Sequence, residues 1–283
     1  MNIFHERPDP FFEIILHDVK RAPGLTGGSA GYEQGKWRNE EFAEYLFEWL
    51  PEFALPYCKL REFNSANGRK LMKVAATKVF TTDKYQKRGE FGELLLHAIL
   101  RQVFNSQPAI SKIYFKTSTN ETVKGFDAVH IVKNEDELEL WLGEAKFYKS
   151  HREAIRSVVQ ELREHTDEEW LRREFILIDS KIDSNWQHAG ELRTLINKRR
   201  SLDTVFNRIC IPVLITYESI CVNRHTEISE DFESALKTEW EAIYTQFVDN
   251  ELPKLRVHLF LIPLDKKESL ARILQDKLKG QQQ

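Results

Sequence analysis

Three charged residues fall inside runs that otherwise read as buried strands. Asp127 lies in "GFDAVHIV" (125–132), and Glu144 and Lys146 lie in "LELWLGEAKFY" (138–148). Charged side chains are seldom buried without a partner or a task. Side chains on a strand alternate between faces, so Leu140, Leu142, Glu144 and Lys146 share one face, and Trp141, Gly143 and Ala145 share the other. Glu144 and Lys146 therefore point the same way, about 6–7 Å apart along the strand. Asp127 shares a face with Val129 and Ile131, while His130 points to the opposite one. "NED" (134–136) makes the turn between the runs. If the two strands pair as a hairpin, Asp127 comes beside Glu144, with Lys146 within reach.

Two carboxylates and an amine in an apolar wall suit one chemistry well. The carboxylates bind a hard divalent cation such as Mg²⁺, or Mn²⁺ in its place. Such an ion polarises a phosphate and lowers the pKa of a bound water. The lysine orients or deprotonates that water, or stabilises charge growing on the phosphate. Burial lowers a lysine pKa and carboxylates raise it, so the sequence leaves the sign of the shift open. The plain alternative is a buried salt bridge within a sheet. An acid-x-lysine step alone is a weak signal, since Asp18–Lys20, Asp179–Lys181 and Asp265–Lys267 repeat it. Only Glu144–Lys146 sits in a strand that directly follows another strand carrying an acid. Asp179–Lys181 ends the apolar run "FILID" and reads as a turn or cap.

The elements that must position these residues are legible to different degrees. "GEFGELLLHAILRQVF" (89–104) has helical spacing, with Leu94, Leu95, Ala98 and Ile99 as its apolar face. "KIYFKTS" (112–118) reads as a strand preceding the two already described. "SHREAIRSVVQELREHT" (150–166) reads as an amphipathic helix capped by Ser150, and "EFILIDS" (174–180) as a compact strand. A polar helix (186–207), the strand "ICIPVLITYES", an acidic helix (231–248), the strand "RVHLFLIPL" and a last helix complete the chain. Upstream, "NEEFAEYLFEWL" reads as a helix capped by Asn39 and stopped by Pro51. The Asn-Gly step in "LREFNSANGRKLMKV" suggests a hairpin, and "APGLTGGSAGYEQG" (22–35) reads as a surface loop. Strands and helices alternate freely, which makes this an α/β chain.

Composition narrows the function classes. The 283 residues carry a net charge of −3, so any nucleic-acid site is a local patch and not a global field. Cys58, Cys210 and Cys221 are scattered and odd in number, which argues against zinc and a disulfide framework. The first residues lack the basic start and cleavage site of a signal peptide, and no run is long enough to span a membrane. A cytoplasmic protein is the expectation. No G-x-x-x-x-G-K-[ST] occurs, so an ATP-driven step would need a partner. Lys112, Lys116 and Lys124 flank the strands, and Lys149, Arg152 and Arg156 follow the motif. They are candidates for a phosphate-binding rim, as is "NKRRS" (197–201), though each also reads as a solvated face.

"RGEFGELLLHAIL", "KGFDAVHI" and "LGEAKFY" together carry a resemblance. The order helix, strands, helix, strand around the motif resembles the PD-(D/E)xK nuclease superfamily, with Gly125-Phe126 where the usual proline precedes the aspartate. More narrowly, the chain resembles the HamA (AbpA-like) family of the Hachiman anti-phage defence system. The resemblance implies an α-β-β-β-α-β core over 85–220, with an α/β extension over 1–84 and a second over 221–283. It implies Asp127 and Glu144 as metal ligands with the Ala145 carbonyl, Lys146 as the catalytic lysine, and a first-helix glutamate as a further ligand. Glu90 and Glu93 both qualify for that last role, and Glu93 sits where the helix meets its apolar run. Both also read as N-terminal charges that complement the helix dipole. His97 reads as a core histidine, and Gln160 as part of a solvated face. The implied activity is Mg²⁺-dependent DNA cleavage beside a HamB-like helicase. A non-catalytic adaptor that binds the helicase or DNA is the alternative.

Overall fold

The protein is described by a computed structural model covering residue 4 and residues 7–79, 89–111, 125–134 and 137–283. The expected strand at 112–118, the residues Lys112, Lys116 and Lys124, and the turn residues Glu135 and Asp136 lie outside the described residues. The strands are β1 (Glu13–Asp18), β2 (Gly24–Ser29), β3 (Tyr32–Glu33), β4 (Lys36–Trp37), β5 (Gln107–Pro108), β6 (Ala128–Asn134), β7 (Glu137–Phe147), β8 (Ile209–Glu218) and β9 (Arg256–Leu264). The helices are α1 (Asn39–Glu48), α2 (Leu50–Ala54), α3 (Tyr57–Leu60), α4 (Gly68–Lys78), α5 (Glu90–Phe104), α6 (His151–His165), α7 (Glu168–Lys181), α8 (Ala189–Leu195), α9 (Leu202–Phe206), α10 (Ile220–Arg224), α11 (Glu230–Val248) and α12 (Lys267–Gln282).

Among the described residues a seven-stranded mixed sheet runs in the order β1-β2-β9-β8-β7-β6-β5, and helices flank it. The strands β2, β9, β8 and β7 pair in parallel, and β1, β6 and β5 run antiparallel to their neighbours. Buried on both faces, the central strands read as continuous apolar runs such as "ICIPVLIT". Parallel neighbours need a crossover, which α6 to α9 supply between β7 and β8, and α10 and α11 between β8 and β9. The face of β7 that carries Gly143, Ala145 and Phe147 is covered by α5. A Cβ on Gly92 of α5 would lie 3.0 Å from the Phe147 Cβ, and one on Gly143 would lie 2.7 Å from Leu96. The opposite face is covered by α6, whose Ala154, Ile155, Val158, Val159 and Leu162 are buried. Among the described residues no helix is long and apolar enough to cross a membrane.

The mixed α/β class and the helices and strands around Asp127, Glu144 and Lys146 agree with the sequence reading. Several local readings do not. Residues 174–180 are helix, inside α7, and the strand after α6 is β8. A short apolar run does not separate strand from helix. Over the longer window Leu171, Phe175 and Ile178 are buried at helical spacing, Ile176 is 61% exposed, and the Asp167 side chain accepts from the amides of Glu169 and Trp170. The stretch 22–35 is not simply a loop, because Gly24–Ser29 is a wholly buried strand. Its glycines serve close packing: a Cβ on Gly27 would sit 2.5 Å from the Trp240 ring of α11. The Asn67–Gly68 step opens helix α4 instead of turning a hairpin, and Asn67 has φ −116° where a tight hairpin turn needs a positive value. The polar helix expected over 186–207 breaks into α8 and α9 around the exposed basic stretch. Asn39 does not cap α1; its amide donates to Asp265, and Pro51 falls in the first turn of α2, where a missing N–H costs nothing.

Candidate active site

The hairpin of β6 and β7 sets the geometry. Ala128 pairs with Gly143, so one step further Asp127 stands opposite Glu144. Asp127 is fixed there by both its backbone and its side chain: its amide donates to the Gly143 carbonyl at 2.7 Å, and its Oδ2 accepts from the Ala145 amide at 2.9 Å. A residue in an antiparallel pair aims its N–H and C=O at the same edge. The Ala145 carbonyl therefore faces the β6 edge where Asp127 sits. Glu144 and Lys146 project from the other face of β7, toward α6.

There α6 meets both of them. Its side chains Ser157, Glu161 and His165 recur every four residues and form one stripe beside the apolar face. His165 Nδ1 lies 2.6 Å from Glu144 Oε1, and Glu144 itself is 1% exposed. The His165 ring is held by stacking on Trp170 at 4.2 Å and by an edge contact with Phe126. The Lys146 ammonium donates to Glu161 Oε2. Burial alone would lower the Lys146 pKa, but the Glu144 charge, the bond to Glu161 and the Asp127 charge outweigh it and raise the value. Lys146 is thus an ammonium at neutral pH. The backbone also passes close under a carboxylate at Gly125, where a Cβ would lie 2.8 Å from Glu174 Oε1 of α7.

The other sequence candidates are placed as follows. Glu93 is buried and Glu90 half-buried in the first turn of α5, the helix on the opposite face of β7. Lys149 is exposed and ion-paired with Glu268. Arg152 and Arg156 are exposed on the outer side of α6, and Lys198, Arg199 and Arg200 are exposed between α8 and α9. Gln160 is exposed and bonds Glu164 at 3.1 Å. His97 is a core residue whose Nδ1 lies 3.1 Å from His130 Nε2. The rival Asp179 is ion-paired with Arg193 at 3.1 Å. Sequence reasoning missed Ser157, Glu161, His165 and Glu174. The first three recur at four-residue spacing beside a clear apolar face, a pattern that a solvated helix margin shares.

The donor chemistry fits a hard cation. Among the described residues no group of three or more His, Cys, Asp or Glu is gathered as a metal centre. Mg²⁺ is commonly held by one or two carboxylates and keeps several waters, which is what Asp127, Glu144 and the Ala145 carbonyl can offer.

The HamA family model matches residues 9–278 of the chain. Anti-bacteriophage protein A of Escherichia coli strain K12 is 24% identical over 262 residues, which cover 88% of this chain and 46% of that protein. The chain therefore spans about half the length of that relative.

Proposed function

The chain belongs to the HamA family, and from that premise we propose that it is a metal-dependent deoxyribonuclease that serves anti-phage defence beside a helicase partner. The observation that carries the reading is the hairpin register, which sets Asp127 opposite Glu144 with Lys146 two residues on. The element order α5, β5, β6, β7, α6, with α7 to α9 inserted before β8, supports a PD-(D/E)xK core. The name of the E. coli relative supports the defence role.

Asp127, Glu144 and the Ala145 carbonyl would hold Mg²⁺ or Mn²⁺, whereas Glu93 and Glu90 start from the α5 side of β7 and are left out of the proposed ligand set. When bound, the ion supplies Lewis-acid polarisation of the phosphate and a water of lowered pKa. The chain's own groups do the rest. The Ala145 amide keeps the Asp127 carboxylate turned to the site. His165 fixes one oxygen of Glu144. Lys146, beside its carboxylate neighbours, would stabilise negative charge on the phosphate. Lys124, Lys149, Arg152 and Arg156 would carry the flanking phosphates.

A second reading has its own observation. Lys146 and Glu144 are each already partnered within the chain, as in a purely structural ion-pair cluster of a DNA- or helicase-binding adaptor. Cleavage of plasmid and linear DNA with Mg²⁺, with and without the helicase, separates the two. Glu144→Ala and Lys146→Ala are expected to lower cutting by about a hundredfold or more while helicase binding persists. Equal cutting by both variants and wild type would sink the catalytic assignment.

A further inference from the structure

The Glu161 carboxylate bridges two donors. Lys146 Nζ donates to its Oε2, and Ser157 Oγ donates to its Oε1 at 3.3 Å. The Tyr148 hydroxyl lies 3.5 Å from the same Ser157 oxygen. The Lys146 side chain is 9% exposed and that of Glu161 is 33% exposed, so the carboxylate stands between the buried ammonium and solvent. A carboxylate spread across an ammonium and a hydroxyl presents the charge and acceptor pair that two non-bridging phosphate oxygens present.

We infer that the Glu161 carboxylate occupies the seat of a nucleic-acid phosphate, whose donors are Lys146 Nζ and Ser157 Oγ, and that the phosphate enters by displacing it. The inference rests on the nuclease reading and adds two residues to it. Ser157 becomes a substrate contact, and Glu161 becomes the residue that sets how readily a phosphate is accepted. The exchange needs only a side-chain rotation. Glu161 is on the solvent side of the pair and a third exposed, whereas Lys146 is anchored in β7. While Glu161 is seated, an incoming strand meets a negative charge at the position where it needs a positive one.

The test is binding of a short fluorescein-labelled DNA duplex by the full chain in EDTA, followed by anisotropy. Glu161→Gln preserves shape and is expected to tighten binding by about three- to tenfold. Lys146→Met should erase that gain, and Ser157→Ala should weaken binding in the Glu161→Gln background. Glu164→Gln on the exposed side of the same helix controls for net charge and should shift affinity by less than about twofold. Circular dichroism confirms that each variant is folded. A Glu161→Gln protein that binds no tighter than wild type, or a gain that survives Lys146→Met, overturns the inference. Plasmid cleavage by the wild-type preparation separates the two levels. Cutting without a Glu161→Gln gain sinks the seat alone, whereas no cutting and no duplex binding by any variant sinks the nuclease reading together with it.

Discussion

The two faces of β7 both bury polar and charged groups, but they do so in different ways. On the α5 face the groups close on one another. Ser106 Oγ meets His130 Nδ1 at 2.9 Å, and His130 Nε2 meets His97 Nδ1 at 3.1 Å. Glu52 lies 3.2 Å from His97 Nε2, without hydrogen-bond alignment, and takes the Arg101 guanidinium at 2.6 Å. Arg101 also donates to the Ser106 and Phe4 carbonyls. On the α6 face Glu144 is held by His165, which is stacked on Trp170, but the Glu161 partner of buried Lys146 is 33% exposed. Buried charge alone therefore does not mark a site. What distinguishes the α6 face is that buried Lys146 has a partner that can be exchanged.

The sharpest way to break this comparison is to remove one charge from each face. Arg101→Met leaves Glu52 and two carbonyls without their donor, and is expected to cost about 3–5 kcal/mol. Lys146→Met leaves Glu161 able to turn to water and Glu144 still bonded to His165, so it should cost less than half of that. Urea unfolding of the two variants measures both. Equal losses would mean that the α6 cluster is as structural as the α5 network.

Acid should divide the faces next. His97 and His130 have their pKa values lowered by burial and by nearby positive charge, and His258, on the same face, is lowered to about 3 by burial, His17 and Arg256. A histidine with a depressed folded pKa binds fewer protons folded than unfolded. Its stabilisation is fully present above the unfolded value near 6.5 and is lost as pH falls below it. Each such histidine steepens the acid limb by about 1.4 kcal/mol per pH unit. Lys146 runs the other way: its raised pKa gives stability that is present below 10.5 and lost as pH rises through the folded value. Stability against pH should therefore lose its steep acid slope in part in His258→Phe, and lose only an alkaline component in Lys146→Met. An unchanged acid slope in His258→Phe would remove that histidine from the account.

The sequence made one face far more legible than the other. Strand alternation was enough to join Asp127, Glu144 and Lys146 and to send His130 to the opposite side, because a period of two leaves a charged residue only one face. It did not show that His130 there would meet His97 and Ser106, since those contacts arise between elements distant in the chain. Glu161 and His165 stayed hidden for a different reason. A polar residue at the margin of an amphipathic helix looks the same whether it faces water or a strand. The run "FILI" was misread because burial on one helix face resembles a short strand until the capping Asp167 is counted. The glycines of β2 resembled a loop because the His258, Trp240 and Ile262 side chains that crowd Gly24, Gly27 and Gly28 lie more than two hundred residues away.

The smallest expected effect tests whether α6 acts as one rigid carrier of its stripe. Ser150 caps the helix by accepting from the Glu153 amide, and Ser150→Ala should cost about 1 kcal/mol. The cap lies at the end of α6 remote from His165, and between them Ala154, Ile155, Val158, Val159 and Leu162 pin the helix to the sheet. Loss of the cap should fray the first turn and leave the Glu161–Lys146 and His165–Glu144 contacts in place. Amide exchange is the direct measure, with faster exchange at 151–154 and unchanged protection at 158–165. If protection falls along the whole helix, α6 is held by its end and not by its apolar face, and the contrast between an anchored lysine and an exchangeable glutamate loses its basis.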